Sequence, residues 1–362
     1  METMRKTFVP RIELLEVYHM KKFSFVIAVV LCLTTGLFSQ ENETEQNKSL
    51  SHAQVAATAY VPYFGTMLLS QTQLFVPLEI LSPVMCAGSG LLNIPAAIVN
   101  PKYTLIGTAI TETSWAGGIL LSKYPNIFGN PSLANMFTNF GLKGNMWLQY
   151  KGYETARTMA APGIYKDYEL LSIKDVVTAP FNPNILSQKS VWIPILGIGS
   201  TIIALDCLGG FNKSVFATGE SYLGNYKLPV AAGLATVLAF SCVNFTLTGV
   251  GEEALFRGTG YEEMKVSFGT IPAKLVDAVL FPCVHIPQQV VAGLNWSSIL
   301  ITTLEQSAVT FLLQWIYDYS GLQSSIATHM WIDVISYVCA FAFTGGVANN
   351  DFSLNINFSM KF

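Results

Sequence analysis

Residues 228–258 read LPVAAGLATVLAFSCVNFTLTGVGEEALFRG, an apolar run that ends in two adjacent carboxylates. The run from Leu228 to Val250 carries no charged residue and is long enough to cross a bilayer, which takes about 20 helical residues. On a continuing helix, Glu253 and Arg257 are four residues apart and can form an ion pair, while Glu252 points about 100° away. Such a pair also fits an ordinary interfacial helix end. Two carboxylates at the end of a membrane helix are costly, however, and usually mark a functional site.

The composition of the whole chain supports a membrane protein. Of its 362 residues, 51% are hydrophobic and only 12% are charged, about half the share that is usual in soluble domains. The net charge of −3 does not indicate a nucleic-acid partner, and we predict none. The six cysteines include no Cys-x-x-Cys pair, and most lie in apolar stretches, so we predict neither a disulfide framework nor a zinc knuckle.

Three further stretches approach or reach the length of a membrane span, namely Val191–Leu208, Ser298–Tyr317 and Ser324–Phe343. A shorter apolar segment, Ile271–Ile286, carries ionisable side chains. More apolar helices are expected in residues 55–121, with Pro77, Pro83, Pro95 and Pro101 marking their breaks. The sequence therefore predicts an all-α, polytopic transmembrane helical bundle of about seven or eight helices with an intramembrane polar cavity.

Two of the four histidines lie in apolar helices. His285 is followed closely by Pro287, so we expect its backbone to be kinked towards a cavity. His329 and Asp333 are four residues apart and share one helix face. Each could be a satisfied buried polar residue. Three helices that all place ionisable groups at membrane depth need partners, however, and we expect these groups to meet in one polar centre.

Three motifs in this order on successive membrane helices resemble the CPBP family, which comprises type II CAAX prenyl proteases and bacteriocin-processing proteins. They are Glu-Glu-x-x-x-Arg from Glu252, Phe-x-x-x-His from Phe281 and His-x-x-x-Asp from His329, and the resemblance covers roughly Leu228 to Phe343. It implies an intramembrane endopeptidase that acts on small peptide or membrane-protein substrates at the lipid bilayer. Location in a bacterial inner membrane as a multi-pass protein is the matching expectation.

The same resemblance implies roles for individual residues. Glu252 would activate the attacking water together with His285. His329 and Asp333 would stabilise the oxyanion or hold the tetrahedral intermediate. The supporting residues would be Glu253, Arg257 and Phe281.

Two chemical questions stay open at this point. An ionised Asp333 cannot donate a hydrogen bond to an oxyanion, so it is either protonated or orients His329. The residue types also permit zinc. We predict a metal-free glutamate mechanism, because the sequence has no His-Glu-x-x-His pair.

Rival interpretations come from other classes of protein. A non-catalytic membrane scaffold or immunity protein could retain the fold, and a transporter could contain buried Glu and His. The strict alternation of residues 352–362 is typical of a strand and resembles the end of an outer-membrane β-barrel, but the long apolar runs upstream favour helices.

The predicted organisation has six parts. Met20-Lys21-Lys22 and the apolar run Phe23–Phe38 are typical of a bacterial signal sequence, so Met20 is the expected natural start. An uncleaved first helix is the alternative. The parts are an N-terminal extension with signal peptide or first helix (1–39), a polar tail (40–54), N-terminal membrane helices (55–121), a membrane-surface insertion with short amphipathic helices (122–190), the catalytic membrane core (191–346) and a strand-like tail (347–362).

Overall fold

The computed structural model describes residues 49–76, 78–124, 131–160, 163, 165, 170–210, 213–223, 226–343 and 347–348. The predicted signal sequence and the predicted strand at 352–362 lie outside these residues. Within them the fold is an all-α bundle without a closed sheet, so the predicted fold class is confirmed.

The first half of the bundle contains helices α1 to α7, with short 3₁₀ turns at Thr72–Leu74 and Ala179–Phe181. Their bounds are α1 His52–Gln71, α2 Leu78–Leu91, α3 Ile94–Val99, α4 Pro101–Lys123, α5 Pro131–Thr158, α6 Ile173–Thr178 and α7 Pro183–Leu186.

The second half contains α8 to α15 and a small three-stranded sheet in the order β2-β1-β3. The helices are α8 Lys189–Gly210, α9 Val215–Thr218, α10 Val230–Glu252, a π-helical segment Glu253–Tyr261, α11 Glu262–Phe268, α12 Thr270–Cys283, α13 Ile286–Val291, α14 Trp296–Ser320 and α15 Leu322–Phe343. The strands are β1 Ser221–Leu223, β2 Tyr226–Leu228 and β3 Val347–Ala348.

Six helical stretches of the described chain are long and apolar enough to cross a membrane. They are residues 80–99, 189–208, 230–268, 270–291, 296–320 and 322–343. The long helices α1, α4 and α5 join the bundle although they do not belong to this set. The four spans predicted in the second half correspond to α8, α10, α14 and α15, which confirms those assignments.

Two local predictions were wrong. The predicted polar tail extends to residue 54, but α1 already begins at His52, where Ser51 caps the helix and accepts a hydrogen bond from the Gln54 backbone N–H. Pro83 was expected to mark a break, yet it lies inside α2. Pro95 and Pro101 do lie in the first turn of helices, where the missing N–H of proline costs no hydrogen bond.

The segment 122–190 differs most from its prediction. Instead of short helices throughout, residues 131–158 form one 28-residue helix, α5, which packs against α4, α10 and α1. Among the described residues of this segment, short helices lie in its second half, at α6 and α7. A run of polar side chains on α5 is buried, including Asn139, Lys143 and Asn145, because they pair with polar groups on neighbouring helices.

The main core lies around the π-helical segment. Leu255, Phe256 and Tyr261 are buried there against Tyr63 of α1 and Tyr150 of α5. The rings of Tyr63 and Phe256 meet edge to face at 5.4 Å between centroids. This packing fixes the helix end that carries the paired carboxylates.

Candidate active site

The two carboxylates lie at the junction between α10 and the π-helical segment. Glu252 is the last residue of α10 and Glu253 the first of the wider helix. A regular α-helix was expected to continue here, and this expectation was wrong. The Thr259 hydroxyl donates to the Ala254 carbonyl five residues earlier, at 2.9 Å, in keeping with the wider turns. Insertions of π-helix are frequent at functional sites.

The predicted ion pair between Glu253 and Arg257 is confirmed. Arg257 Nη1 lies 3.2 Å from Glu253 Oε1, and both side chains are fully buried. On its other side, Arg257 Nε is 3.9 Å from Asp277 Oδ2, and the guanidinium lies 4.3 Å from the centre of the Phe281 ring. None of its nitrogens is aligned for a hydrogen bond within the described chain. Charge and the aromatic ring therefore hold this cation in place.

His329 lies at the centre of three carboxylates. Its Nδ1 atom is 2.7 Å from Glu253 Oε1, while its Nε2 atom is 3.4 Å from Asp333 Oδ2 and 3.8 Å from Glu252 Oε2. The Ser325 hydroxyl donates to the other oxygen of Glu253. The structure thus brings Glu252, Glu253, His329 and Asp333 together, as the sequence analysis expected.

His285 follows the end of α12 and precedes α13, at the break that Pro287 predicted. Its ring meets the Phe281 ring edge to face at 5.4 Å between centroids, and Phe281 packs in the same way on Phe256 at 4.8 Å. Within the described part of the chain, the imidazole of His285 makes no hydrogen bond. Both histidines line one cavity together with Glu252 and Asp333.

That cavity has a volume of about 470 Å³. Its walls are mostly apolar, with side chains from α1, α5, α8 and α14, and the ionisable centre described above forms part of its lining. A volume of this size falls within the range of small-molecule and peptide side-chain pockets. The predicted cavity is therefore present in the described structure, but it is polar only at its ionisable centre.

Sequence reasoning missed Lys143, whose ammonium contacts the Glu252 carboxylate. Glu252 was expected to lie outside the Glu253–Arg257 pair, and no cation was predicted beside it. Lys143 belongs to α5, in the segment that was predicted to lie on the membrane surface, so it was not considered for the site. A signal was available in the four-residue spacing of Asn139 and Lys143, which share one face of a helix.

The donor set does not fit a zinc ion as it stands. Among the described residues, no group of three or more His, Cys, Asp or Glu side chains is arranged to hold a metal. One oxygen of Glu252 binds the Lys143 ammonium, and His329 Nδ1 binds Glu253. Zinc requires about four ligands close to 2 Å, and the described side chains do not provide them in this arrangement.

Fold and site together define a multi-pass helical membrane protein with a Glu, His and Asp centre facing an internal cavity. Residues 234–335 match the family model Rce1-like, described as type II CAAX prenyl endopeptidase Rce1-like. No curated protein and no solved structure matches the chain. The chain therefore carries an Rce1-like domain, consistent with a CPBP family intramembrane protease, which confirms the resemblance seen in the motifs. Lys143 lies outside the matched residues.

Proposed function

We propose that this protein is an intramembrane endopeptidase that hydrolyses peptide bonds of membrane-associated or small peptide substrates in a bacterial inner membrane. The observation that supports the proposal is the placement of Glu252, His285, His329 and Asp333 around one largely apolar cavity within the membrane-spanning bundle. A scaffold or immunity protein would not need this set of groups at one cavity.

In the proposed reaction, Glu252 takes a proton from water, with assistance from His285, and the water oxygen attacks the carbonyl carbon of the peptide bond. The proton then passes from Glu252 to the leaving amine as the carbon–nitrogen bond breaks. Glu253 holds Nδ1 of His329 at 2.7 Å, and Asp333 lies on the Nε2 side. Glu253 therefore orients the imidazole, as the carboxylate does in a catalytic triad, and Asp333 adds a second contact on the Nε2 side.

The decisive experiment compares the wild type with Glu252→Gln, both purified in detergent, against a library of quenched peptides. We expect the wild type to cleave and the variant to be slower by about 10²–10⁴-fold, since only the base is lost while the shape is kept. Cleavage by both proteins at the same rate would contradict the role of Glu252. Cleavage by neither would favour the scaffold alternative.

The metal-free mechanism has its own test. Dialysis of the active protein against a strong chelator should leave the rate unchanged, because in the proposed reaction the Glu252 carboxylate itself takes the proton of the attacking water. Loss of activity on chelation, with recovery on adding zinc, would show that the mechanism depends on a metal.

A further inference from the structure

Lys143 is built into the site by close packing between α5 and α10. A Cβ atom added at Gly251 would lie 2.6 Å from Lys143 Cβ and 2.8 Å from its Cα, closer than any real side chain allows. Glycine at position 251 is therefore what lets α5 approach the helix that carries Glu252. One turn earlier, Asn139 Nδ2 donates to Asn244 Oδ1 at 3.0 Å and to its carbonyl at 3.1 Å, which fixes the register of the two helices.

Burying the Lys143 ammonium costs free energy, because the charge loses its contact with water. Its side chain is only 10% exposed and that of Glu252 only 9%, and both line the cavity. Charges inside a membrane protein are expensive and usually functional. A buried ion pair is also weak evidence for stability, because desolvation offsets much of the attraction.

The proposed hydrolysis moves a negative charge between two atoms close to this ammonium. When water attacks, the π bond of the carbonyl breaks and its electron pair moves to the carbonyl oxygen. At the same time Glu252 takes the proton and loses its charge. The site therefore needs a cation or hydrogen-bond donor that stabilises the Glu252 carboxylate first and the oxyanion afterwards.

The remaining residues of the centre are poorly suited to that task. Asp333 has a carboxylate, which accepts hydrogen bonds, and His329 has a carboxylate on each side, with Glu253 at 2.7 Å from Nδ1 and Asp333 at 3.4 Å from Nε2. Arg257 is fully buried between Glu253 and Asp277 and does not line the cavity. Among the described side chains that line the cavity, Lys143 is the ammonium donor next to Glu252.

We propose that Lys143 is a further catalytic residue, whose ammonium neutralises the Glu252 carboxylate in the free protein and stabilises the oxyanion once Glu252 has taken the proton of the water. This inference rests on the proposed endopeptidase function. As the negative charge passes from the Glu252 carboxylate to the carbonyl oxygen, the ammonium changes its contact from the first to the second. The proton on Glu252 is then delivered to the leaving amine.

The test measures kcat and KM separately for the peptide that the wild type cleaves. Lys143→Met should lower kcat by about 10²–10³-fold with little change in KM, since a donor to the oxyanion acts only in the transition state. Lys143→Arg, which keeps the charge and the donors, should retain more activity than Lys143→Met. If Lys143→Met does not fold, Lys143→Gln replaces it. Its amide can still donate to Glu252, but the positive charge is lost, so kcat should again fall below that of the wild type.

Lys151→Met is the matched control. Lys151 lies on the same helix and also contacts a buried glutamate, Glu154, but it does not line the cavity. Its loss should leave kcat of the folded protein unchanged. If kcat of Lys143→Met or Lys143→Gln equals that of the wild type while Glu252→Gln is inactive, the role of Lys143 is refuted and the endopeptidase function stands.

Discussion

Two pairs of adjacent glutamates lie on one continuous helical stretch, Glu252-Glu253 and, ten residues later, Glu262-Glu263. Glu253 and Glu263 are both fully buried, so burial does not separate the pairs. Their partners do. Glu263 accepts from the hydroxyls of Tyr153 at 3.0 Å and Tyr165 at 2.9 Å, and its other oxygen lies 2.8 Å from His52 Nε2 and 3.3 Å from the Ser267 hydroxyl.

The other glutamate of that later pair, Glu262, also has several cations and hydrogen-bond donors around it. Glu262 lies 2.7 Å from Lys265 Nζ and 3.6 Å from Arg157 Nη1, and it accepts from the Tyr317 hydroxyl at 3.2 Å. By contrast, Glu252 faces a cavity with Lys143 as its one close donor in the described chain. A carboxylate whose oxygens accept several hydrogen bonds therefore holds helices together. A carboxylate with few donors beside a cavity remains able to exchange a proton.

The largest stability effect is expected at the residue that supports the first pair. Arg257→Met should lower the free energy of unfolding by about 3–5 kcal/mol, because it leaves Glu253 as a buried charge without its cation. Activity should fall with it. Unfolding in detergent, followed by circular dichroism, measures the first effect. Arg157→Met is the comparison, since Arg157 lies at 3.6 Å from the partly exposed Glu262 and its loss should cost less. A fully stable Arg257→Met would contradict the bracing role.

Replacing one glutamate of each pair by glutamine separates the effect on catalysis from the effect on stability. Glu263→Gln should destabilise the protein by about 1–3 kcal/mol, because an amide NH₂ replaces one of the oxygens that accept from several donors. The folded fraction should still turn over at the wild-type rate, whereas Glu252→Gln should fold well and be inactive. Rates normalised to the folded fraction distinguish the two outcomes. Equal loss of turnover in both variants would mean that the two pairs form one functional unit.

The helices and the ionisable groups that a lipid environment constrains most could be predicted from the sequence alone. The apolar runs of α10, α14 and α15 exceed what a soluble protein needs, and the ionisable groups on them had no acceptable partners except one another. Glu252, His329 and Asp333 could therefore be predicted to share one centre, and the spacing of Glu253 and Arg257 predicted their ion pair.

The remaining features depend on contacts between segments far apart in the chain. Lys143 lies 109 residues before Glu252, on a helix polar enough to resemble a surface element. Its burial becomes visible only when Asn139 is paired with Asn244 across the helix interface. The π-helical segment was missed for another reason, since apolar spacing over nine residues does not distinguish bonds to the fourth residue from bonds to the fifth.

A smaller effect is expected from removing one donor of Glu263. Tyr153→Phe should cost about 0.5–1.5 kcal/mol, the net value of one hydrogen bond. Burial, and then the negative charge of Glu263, raise the pKa of Tyr153 well above its ordinary value. The phenol is therefore protonated in the folded state at pH values where it ionises in the unfolded chain.

This shift gives the variant a pH signature. The wild type should lose stability as the pH rises above about 10, the ordinary pKa of tyrosine, because the unfolded chain then releases a proton that the folded protein keeps. Tyr153→Phe lacks that contribution, so its free energy of unfolding should fall less steeply in the same range. Parallel pH profiles for the two proteins would contradict the placement of Tyr153 against Glu263.

The smallest effect is expected at a Lys–Glu pair of the same chemistry as Lys143–Glu252. Lys227 Nζ lies 2.5 Å from Glu220 Oε1, but the two side chains are 59% and 44% exposed. The hydrogen bond from Lys227, followed by that from the Tyr222 hydroxyl, lowers the pKa of Glu220, yet water and salt screen such exposed charges. Lys227→Met should therefore leave both the unfolding midpoint and kcat unchanged, in contrast to Lys143→Met. A loss of activity in Lys227→Met would show that exposure does not separate the two pairs and would weaken the case for Lys143.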